Sequence, residues 1–344
     1  MNLEESAVKI ILSEYATSEN RKYNATNKAR NDTLSIASNS GYKRMKLYTP
    51  GKPFYIILFQ SILSCLRCVI TCGKKDIILI QYPYKPKFDQ FLLGFLSIGK
   101  RLKGYKLFVV IHDMYAVRVI NKEREKALEK EVLLFKNFDK IICHNKRMKE
   151  LFKQFHLENK CDCLGPFYYL YEGDIIKSDF HDEFRLIVAG NLSKAKCNYL
   201  YKLPEMEYVK FNLYGAGLED DIQNADYKGK YLPEELINHL DGNFGLVWDG
   251  DSYEECSGLY GEYLKFNNPH KLSLYLAAGL PVIVWSESAL ASFVLENQIG
   301  ISISSILELE SLKITEEEYI KMKNNVNYIR KQLVSGENLK KLIS

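Results

Sequence analysis

The amino-acid sequence predicts an α/β protein of two doubly wound domains, each built on a parallel sheet. Three observations carry that expectation. Short β-branched runs alternate with longer helical patterns along the chain, as stacked βαβ units require. The runs IILI at 77–80 and LFVVI at 107–111 are apolar at nearly every position, as parallel strands covered on both faces are. At 344 residues the chain is long for one domain, and its pattern breaks once and restarts.

In the front half the β-branched runs place strands at Val8–Leu12, Arg44–Tyr48, Asp76–Tyr82, Lys106–His112 and Asp139–His144. Helical spacing fills the gaps near Asn27–Asn39, Pro53–Cys72, Phe88–Lys103, Asn121–Asn137 and Lys146–Phe155. Polar residues follow the strand ends at Gln81–Tyr82, His112–Asp113 and His144–Asn145, where ligands of open parallel sheets bind. A Gly, Pro, Tyr and Asp cluster at Leu164–Asp182 reads as the linker. Strands resume at Arg185–Ala189, Tyr208–Tyr214, Asp226–Tyr231, Asn243–Trp248, Pro281–Trp285 and Gly300–Ser304. Helices are expected at Pro233–Leu240, Pro269–Ala278 and Ser288–Asn297, with two more in the tail at Thr315–Leu333 and Gly336–Ile343.

Composition narrows the class. With 47% hydrophobic and 26% charged residues, the chain has enough apolar surface to offset chain entropy, which excludes disorder. Only 9 Pro and 20 Gly exclude collagen-like or linker-dominated architectures. The net charge of +4 hides a split: residues 1–170 carry 30 Lys and Arg against 16 Asp and Glu, and the rest carry 17 against 27. A front half of that sign faces something anionic, or the two halves attract each other. The eight cysteines have no zinc spacing, and Cys65, Cys68 and Cys72 share one helix face as small hydrophobes. No metal site is expected. No charged-then-apolar leader opens the chain, so a reducing cytoplasm is the expected compartment. Ile56–Cys72 is apolar enough to raise a membrane question, but it holds Gln60 and Arg67 and is short for a span. It reads as a helix packed on a sheet, with a membrane-surface role open because of its basic neighbours.

The strongest local signal is Asn268-Pro-His-Lys-Leu-Ser-Leu-Tyr-Leu-Ala-Ala-Gly-Leu-Pro-Val-Ile-Val284. A loop ends at Pro269, Gly279 caps the helix and Pro281 starts a strand. Lys271 and Ser273 fall in the first helical turn, beside free N–H groups and partial positive charge, which suits a diphosphate. The alternative is a solvated surface lysine. Ala189-Gly190-Asn191-Leu192-Ser193-Lys194-Ala195-Lys196 is a strand, a glycine turn and a helix start whose lysines reach phosphate. Tyr214-Gly215-Ala216-Gly217 closes another strand, with Tyr214 suited to stack on a base or ribose. Lacking a third glycine and a following acid, it is a poor dinucleotide fingerprint. His112 and Asp113 form an acid–base pair at a strand end, with helix capping as the alternative role for Asp113. Thr26 and Asn27 cap a helix or donate to a ligand. The Glu254 and Glu262 pair has the spacing of retaining transferases, but Glu262 lies some ten residues too early for that role.

The 268–284 stretch, the Phe244–Trp248 strand and the His112-Asp113 strand end together resemble bacterial β-1,6-galactofuranosyltransferases of the GT-B fold. The related glucosyltransferases that extend GlcNAc on serine-rich adhesins are similar too. The resemblance covers most of the chain and is strongest from Asn243 to Gly300. It implies two Rossmann-like domains facing across a cleft. Residues 1–167 would form the acceptor side and 168–334 the UDP-sugar side, with a C-terminal helix at about 335–344 packing back on the first. The resemblance further implies that Lys271 holds the diphosphate, with Lys194 beside it where relatives often use arginine, and that Tyr214 sits near the nucleoside. Gly190, Asn191, Gly215 and Ser273 line the donor site, Thr26 faces the cleft, and Asp113, with His112, is the base. Relatives often continue this pair as H-D-L-x-x-L-R, whereas Met114 and Val117 replace the leucines here and Arg118 remains. The expected function is inverting hexosyl transfer from a UDP-sugar, a substrate rather than a cofactor, to a lipid-linked or protein-borne glycan. A non-catalytic donor-binding partner of a transferase complex is the alternative. The acidic rear half and the lack of a recognisable motif exclude nucleic acid. A peripheral place on the inner membrane face and a homo-oligomer fit the same picture.

Overall fold

The computed structural model describes residues 7–14, 25–49, 51–84, 86–119, 123–176 and 178–344. The chain divides into two compact units. The front unit includes Thr26–Leu164 and Leu339–Ser344, and the rear unit includes Gly165–Asn338.

In the front unit, strands β1 (Lys9–Ser13), β2 (Lys43–Lys46), β3 (Ile77–Tyr82), β4 (Lys106–Ile111), β5 (Lys140–Cys143) and β6 (Cys161–Cys163) form one sheet in the order β2-β1-β3-β4-β5-β6. Every pairing is parallel. Helices α1 (Ala25–Asn39), α2 (Phe54–Thr71), α3 (Pro86–Lys103), α4 (Arg124–Val132) and α5 (Lys146–Lys153) connect the strands. Leu12, Leu79, Val109 and Ile141 are completely buried, and each such side chain contributes about 1.5–3 kcal/mol. The tail returns here: Tyr42 Oη donates to the Ile343 carbonyl at 2.7 Å and Lys140 Nζ to that of Leu342 at 2.9 Å.

The rear unit repeats the plan with β7 (Phe184–Asn191), β8 (Val209–Ala216), β9 (Ala225–Gly229), β10 (Phe244–Val247), β11 (Val282–Trp285) and β12 (Gly300–Ile303), in the order β12-β11-β10-β7-β8-β9 and all parallel. Its helices are α6 (Lys194–Cys197), α7 (Pro233–Leu236), α8 (Gly258–Tyr263), α9 (His270–Ala277), α10 (Ala291–Glu296) and α11 (Glu316–Ser335), and α12 (Glu337–Ile343) carries the chain back to the front unit. Helix α9 lies close on β10 because Gly245 has no side chain: a Cβ there would stand 2.1 Å from Tyr275 Cγ. The Tyr275 hydroxyl in turn accepts from the Ala189 amide of β7 at 2.9 Å. Thr315 and Glu318 form a reciprocal capping box at the start of α11, and Gly336 ends that helix at φ +70°.

In both sheets the strand order reverses direction once. The reversal falls between β1 and β3 in front and between β7 and β10 in the rear. Crossovers diverge there and leave a crevice at the carboxyl ends of the strands.

The expected helix over Asn121–Asn137 narrows to α4 and a 3-10 turn at Leu133–Phe135, with residues 120–122 outside the described set. The helix start expected after Gly190 is α6, whereas strand β6 and helix α8 were not anticipated. Three to six residues show no period, and tertiary pairing alone makes them regular.

Candidate active site

At the rear reversal point, β7 and β8 end side by side with Gly190 opposite Gly215. Gly215, at φ +144°, must be glycine, since a Cβ would stand 1.8 Å from the Gly190 carbonyl oxygen. Gly190 is exposed and a Cβ on it would meet nothing within 4 Å, so open space lies over its backbone. Asn191 is also exposed, and its Oδ1 accepts from the Ser193 amide at 3.0 Å. The next turn presents Lys194, whose ammonium pairs with Asp220 and lies 5.2 Å from the Tyr201 ring centroid.

Across the same crevice, β10 runs into Trp248 and Asp249. Lys271, in the first turn of α9, donates to Asp249 Oδ1 at 2.8 Å and to the Trp248 carbonyl at 3.1 Å. Lys196 approaches the other carboxylate oxygen at 3.8 Å. Only 7% of the Lys271 side chain is exposed. Burial pulls its ammonium down, but the Asp249 carboxylate more than reverses this and leaves it above the ordinary lysine value.

The two expected phosphate lysines therefore differ in kind. The exposed Lys194–Asp220 pair is screened by solvent and gives way readily to a stronger anion. The buried Lys271–Asp249 pair does not, because separating it leaves an uncompensated charge at a cost of about 3–5 kcal/mol. Lys271 is a strut in this structure, not the open cation its sequence position suggested. Two further candidates are buried. Tyr214 is 1% exposed, packs in the core and accepts from the Asp241 amide at 2.9 Å, so it offers no ring face to a nucleoside. It sits on the strand face that α9 covers. Ser273 is likewise 1% exposed, and its buried Oγ has no hydrogen-bond partner among the described residues. Asp249, Asp220 and Glu219, which accepts from the Lys194 amide at 2.8 Å, were missed. Isolated acids in irregular segments carry no periodic signal. Glu262 of α8 pairs with Lys265, just beyond the helix, at 3.0 Å.

At the front reversal point a hollow is lined by Ser13 at the end of β1, Glu14 after it, Asn27, Arg30, Asn31 and Leu34 of α1, and Gln81 of β3. Arg30 is held by the Pro83 carbonyl and lies 3.9 Å from Glu14, whose other oxygen accepts from Tyr48 Oη at 2.7 Å. Gln81 joins this hollow to the predicted pair, because its Oε1 accepts from His112 Nε2 at 2.9 Å. Asp113 follows directly. Its Oδ1 accepts from the Met114 amide at 2.8 Å and its Oδ2 pairs with Arg118. Glu131 fixes the adjoining turn by accepting from Tyr82 Oη at 2.7 Å and from the amides of Tyr115 and Ala116 at 2.9 and 2.6 Å. Burial raises its carboxyl above the usual range against the pull of those bonds. His144 donates to the Ile111 carbonyl at 3.0 Å, and burial lowers it to about 4. Thr26 falls in the first turn of α1, and its side chain lies outside the described residues. Arg30, Glu14 and Glu131 were missed because a single charge on an amphipathic helix or at a strand end reads as solvated.

The two units match the two halves of one family. Residues 9–164 match the description "Glucosyltransferase 3-like, N-terminal domain" and residues 186–344 match "Glucosyltransferase 3-like, C-terminal domain". The chain is 34% identical over 317 residues, 90% of each chain, to the β-1,6-galactofuranosyltransferase WbbI of Escherichia coli K12. It is 26% identical over 328 residues, 92% of each chain, to glucosyltransferase 3 of Streptococcus gordonii. Among solved structures, sucrose-phosphate synthase of Thermosynechococcus elongatus superposes with a TM-score of 0.57 over 97% of both chains at 11% identity. A glycosyltransferase from Rickettsia africae gives 0.53 over 98% of this chain and 97% of its own at 10% identity. The sequence matches carry the family and the superpositions carry the GT-B fold: this chain is a glycosyltransferase of the glucosyltransferase 3-like family, acting on a nucleotide-sugar donor and a glycan acceptor.

Proposed function

We propose that the enzyme transfers a hexosyl unit from a UDP-sugar to a glycan hydroxyl by a single inverting displacement. Galactofuranose is the preferred sugar, ahead of glucose, in assembling a cell-surface polysaccharide or glycoprotein. The observation that carries the donor half is the open backbone of Gly190 beside the exchangeable Lys194–Asp220 pair. A diphosphate arriving there replaces Asp220 on Lys194 and gains charge-assisted hydrogen bonds. Lys196 adds a second cation, and the Lys271–Asp249 strut fixes the start of α9. The higher identity to the galactofuranosyltransferase supports the choice of sugar.

In the front unit the hollow beside Gln81 supplies a polar cradle for the acceptor. Asp113 takes the proton of the attacking hydroxyl as its oxygen bonds to the anomeric carbon. The bond from that carbon to the diphosphate oxygen breaks, and UDP leaves with the electron pair. Arg118 and the Met114 amide hold the Asp113 carboxylate in place, and His112 is positioned by Gln81. Lysines and backbone N–H groups stabilise the leaving diphosphate, the electrostatic role a divalent ion fills elsewhere. The enzyme works in the cytoplasm, at the inner face of the membrane, where its basic front half meets anionic headgroups.

UDP release by the purified enzyme tests the reading. Turnover is expected with UDP-galactofuranose and an acceptor, to exceed that with UDP-glucose, and to persist in chelator. Asp113→Asn is expected to lower it by about 10²–10⁴-fold. Normal turnover by that variant removes Asp113 from the mechanism, and loss of activity in chelator overturns the metal-free reading.

A further inference from the structure

Helix α2 is apolar on two opposite faces. Its inner face, with Ile57, Ser61, Ser64, Cys65 and Cys68, is buried, and Ser64 Oγ donates to the Lys46 carbonyl of β2 at 2.6 Å. Its outer face, with Tyr55, Phe59, Leu63, Leu66 and Ile70 at three- and four-residue spacing, is exposed, Ile70 by 74%. The next helix repeats the arrangement, with Phe91, Ile98 and Leu102 exposed, Leu102 by 76%. The two helices touch: Gly99 of α3 lies so close to Val69 of α2 that a Cβ would stand 2.5 Å from its methyl group. An outward apolar surface of this extent on a folded unit marks an interaction face.

Its charge identifies the occupant. Residues 51–106 carry ten Lys and Arg against two acids. Both acids accept backbone amides within the unit: Asp76 those of Val8 and Gly73, and the buried Asp89 that of Tyr84. Lys52, Arg67, Lys74, Lys75, Arg101 and Lys103 are all exposed. A surface of aromatic and aliphatic side chains flanked by these exposed cations complements anionic headgroups over an apolar interior. A second copy suits it poorly, because a two-fold contact would set these cations against their own images.

We propose that the α2–α3 face docks the enzyme on an anionic lipid leaflet, with α2 lying along the interface. Although α2 is long and apolar enough to cross a membrane, its inner face, Ile57, Ser61, Ser64, Cys65 and Cys68, is buried in the protein, which suits it to the surface. The proposal rests on the peripheral location proposed above and is independent of the donor sugar. Sedimentation of the full-length enzyme with phosphatidylcholine vesicles, with and without phosphatidylglycerol, tests it. Binding is expected to the anionic vesicles alone and to fall as salt rises. Phe59→Glu with Ile70→Glu, and separately Lys74→Glu with Lys75→Glu, are expected to weaken it about tenfold or more while UDP release in solution is unchanged. Equal binding by the variants overturns the proposal, as does no binding of the parent protein at low salt. A parent dimer in vesicle-free buffer that the same substitutions split, without lipid binding, assigns the face to a second copy instead. Absence of UDP release by the parent protein, with its vesicle binding intact, counts against the transfer reading and leaves the docking face standing.

Discussion

Lys194 and Lys271 show how much the surroundings of a side chain decide its role. Both are lysines in the first turn of a helix, and both have a carboxylate partner, but one is exposed and the other buried. Lys194→Ala is expected to raise the KM for the donor about tenfold and to leave the urea midpoint essentially unchanged. Lys271→Met is expected to lower stability by about 3 kcal/mol in the same urea titration, because Asp249 loses its closest partner. A donor KM that moves only in the Lys271 variant would reverse these assignments. His144 gives a pH dependence. It binds its proton at about 4 in the folded chain against an ordinary value of 6.5, because burial disfavours the charged ring. The unfolded chain therefore binds more protons between those values. The stability His144 contributes is complete above pH 6.5 and is lost as pH falls toward 4, up to about 3 kcal/mol. Urea midpoints at pH 7.5 and 5 check this, and His144→Asn is expected to flatten the difference.

At the scale of elements, the long periodic segments were legible and the short ones were not. The run from Pro269 to Trp285 specified a helix, a glycine stop and a strand by local rules, and α9 and β11 lie within it. What those rules left out was the contact. Gly245 reads as a weak point in a strand, yet it is the gap into which Tyr275 fits. Gly245→Ala is expected to cost about 1–3 kcal/mol through overpacking, read as a lower thermal midpoint. A neutral result would mean that α9 retreats from β10 without penalty. Gly215→Ala would be strained for a different reason, its φ of +144°.

For the whole molecule, two sheets that each reverse strand order once create two crevices, and the candidate residues gather at them. The front crevice carries hydroxyl-binding groups around Gln81 and Arg30, and the rear one carries the lysines. UDP is expected to bind the folded state through the rear crevice alone. At a hundredfold excess over its Kd it should add about 2.7 kcal/mol of stability, visible as a rise in Tm. Lys194→Ala is expected to need proportionately more UDP for the same rise. A Tm that UDP does not move would remove the rear crevice as the donor site.

The sequence by itself determined the α/β class, the position of most strands and helices, and the strand ends where chemistry gathers, because periodicity and glycine or proline stops are local properties. It also identified the basic front half and the doubtful membrane character of Ile56–Cys72. Only the tertiary structure decided that Tyr214 and Ser273 are buried, that Lys271 is paired with Asp249, and that Glu131 holds the turn after Asp113. The reason is physical: burial and pairing are set by side chains far apart along the chain, and no local pattern records which of them will meet.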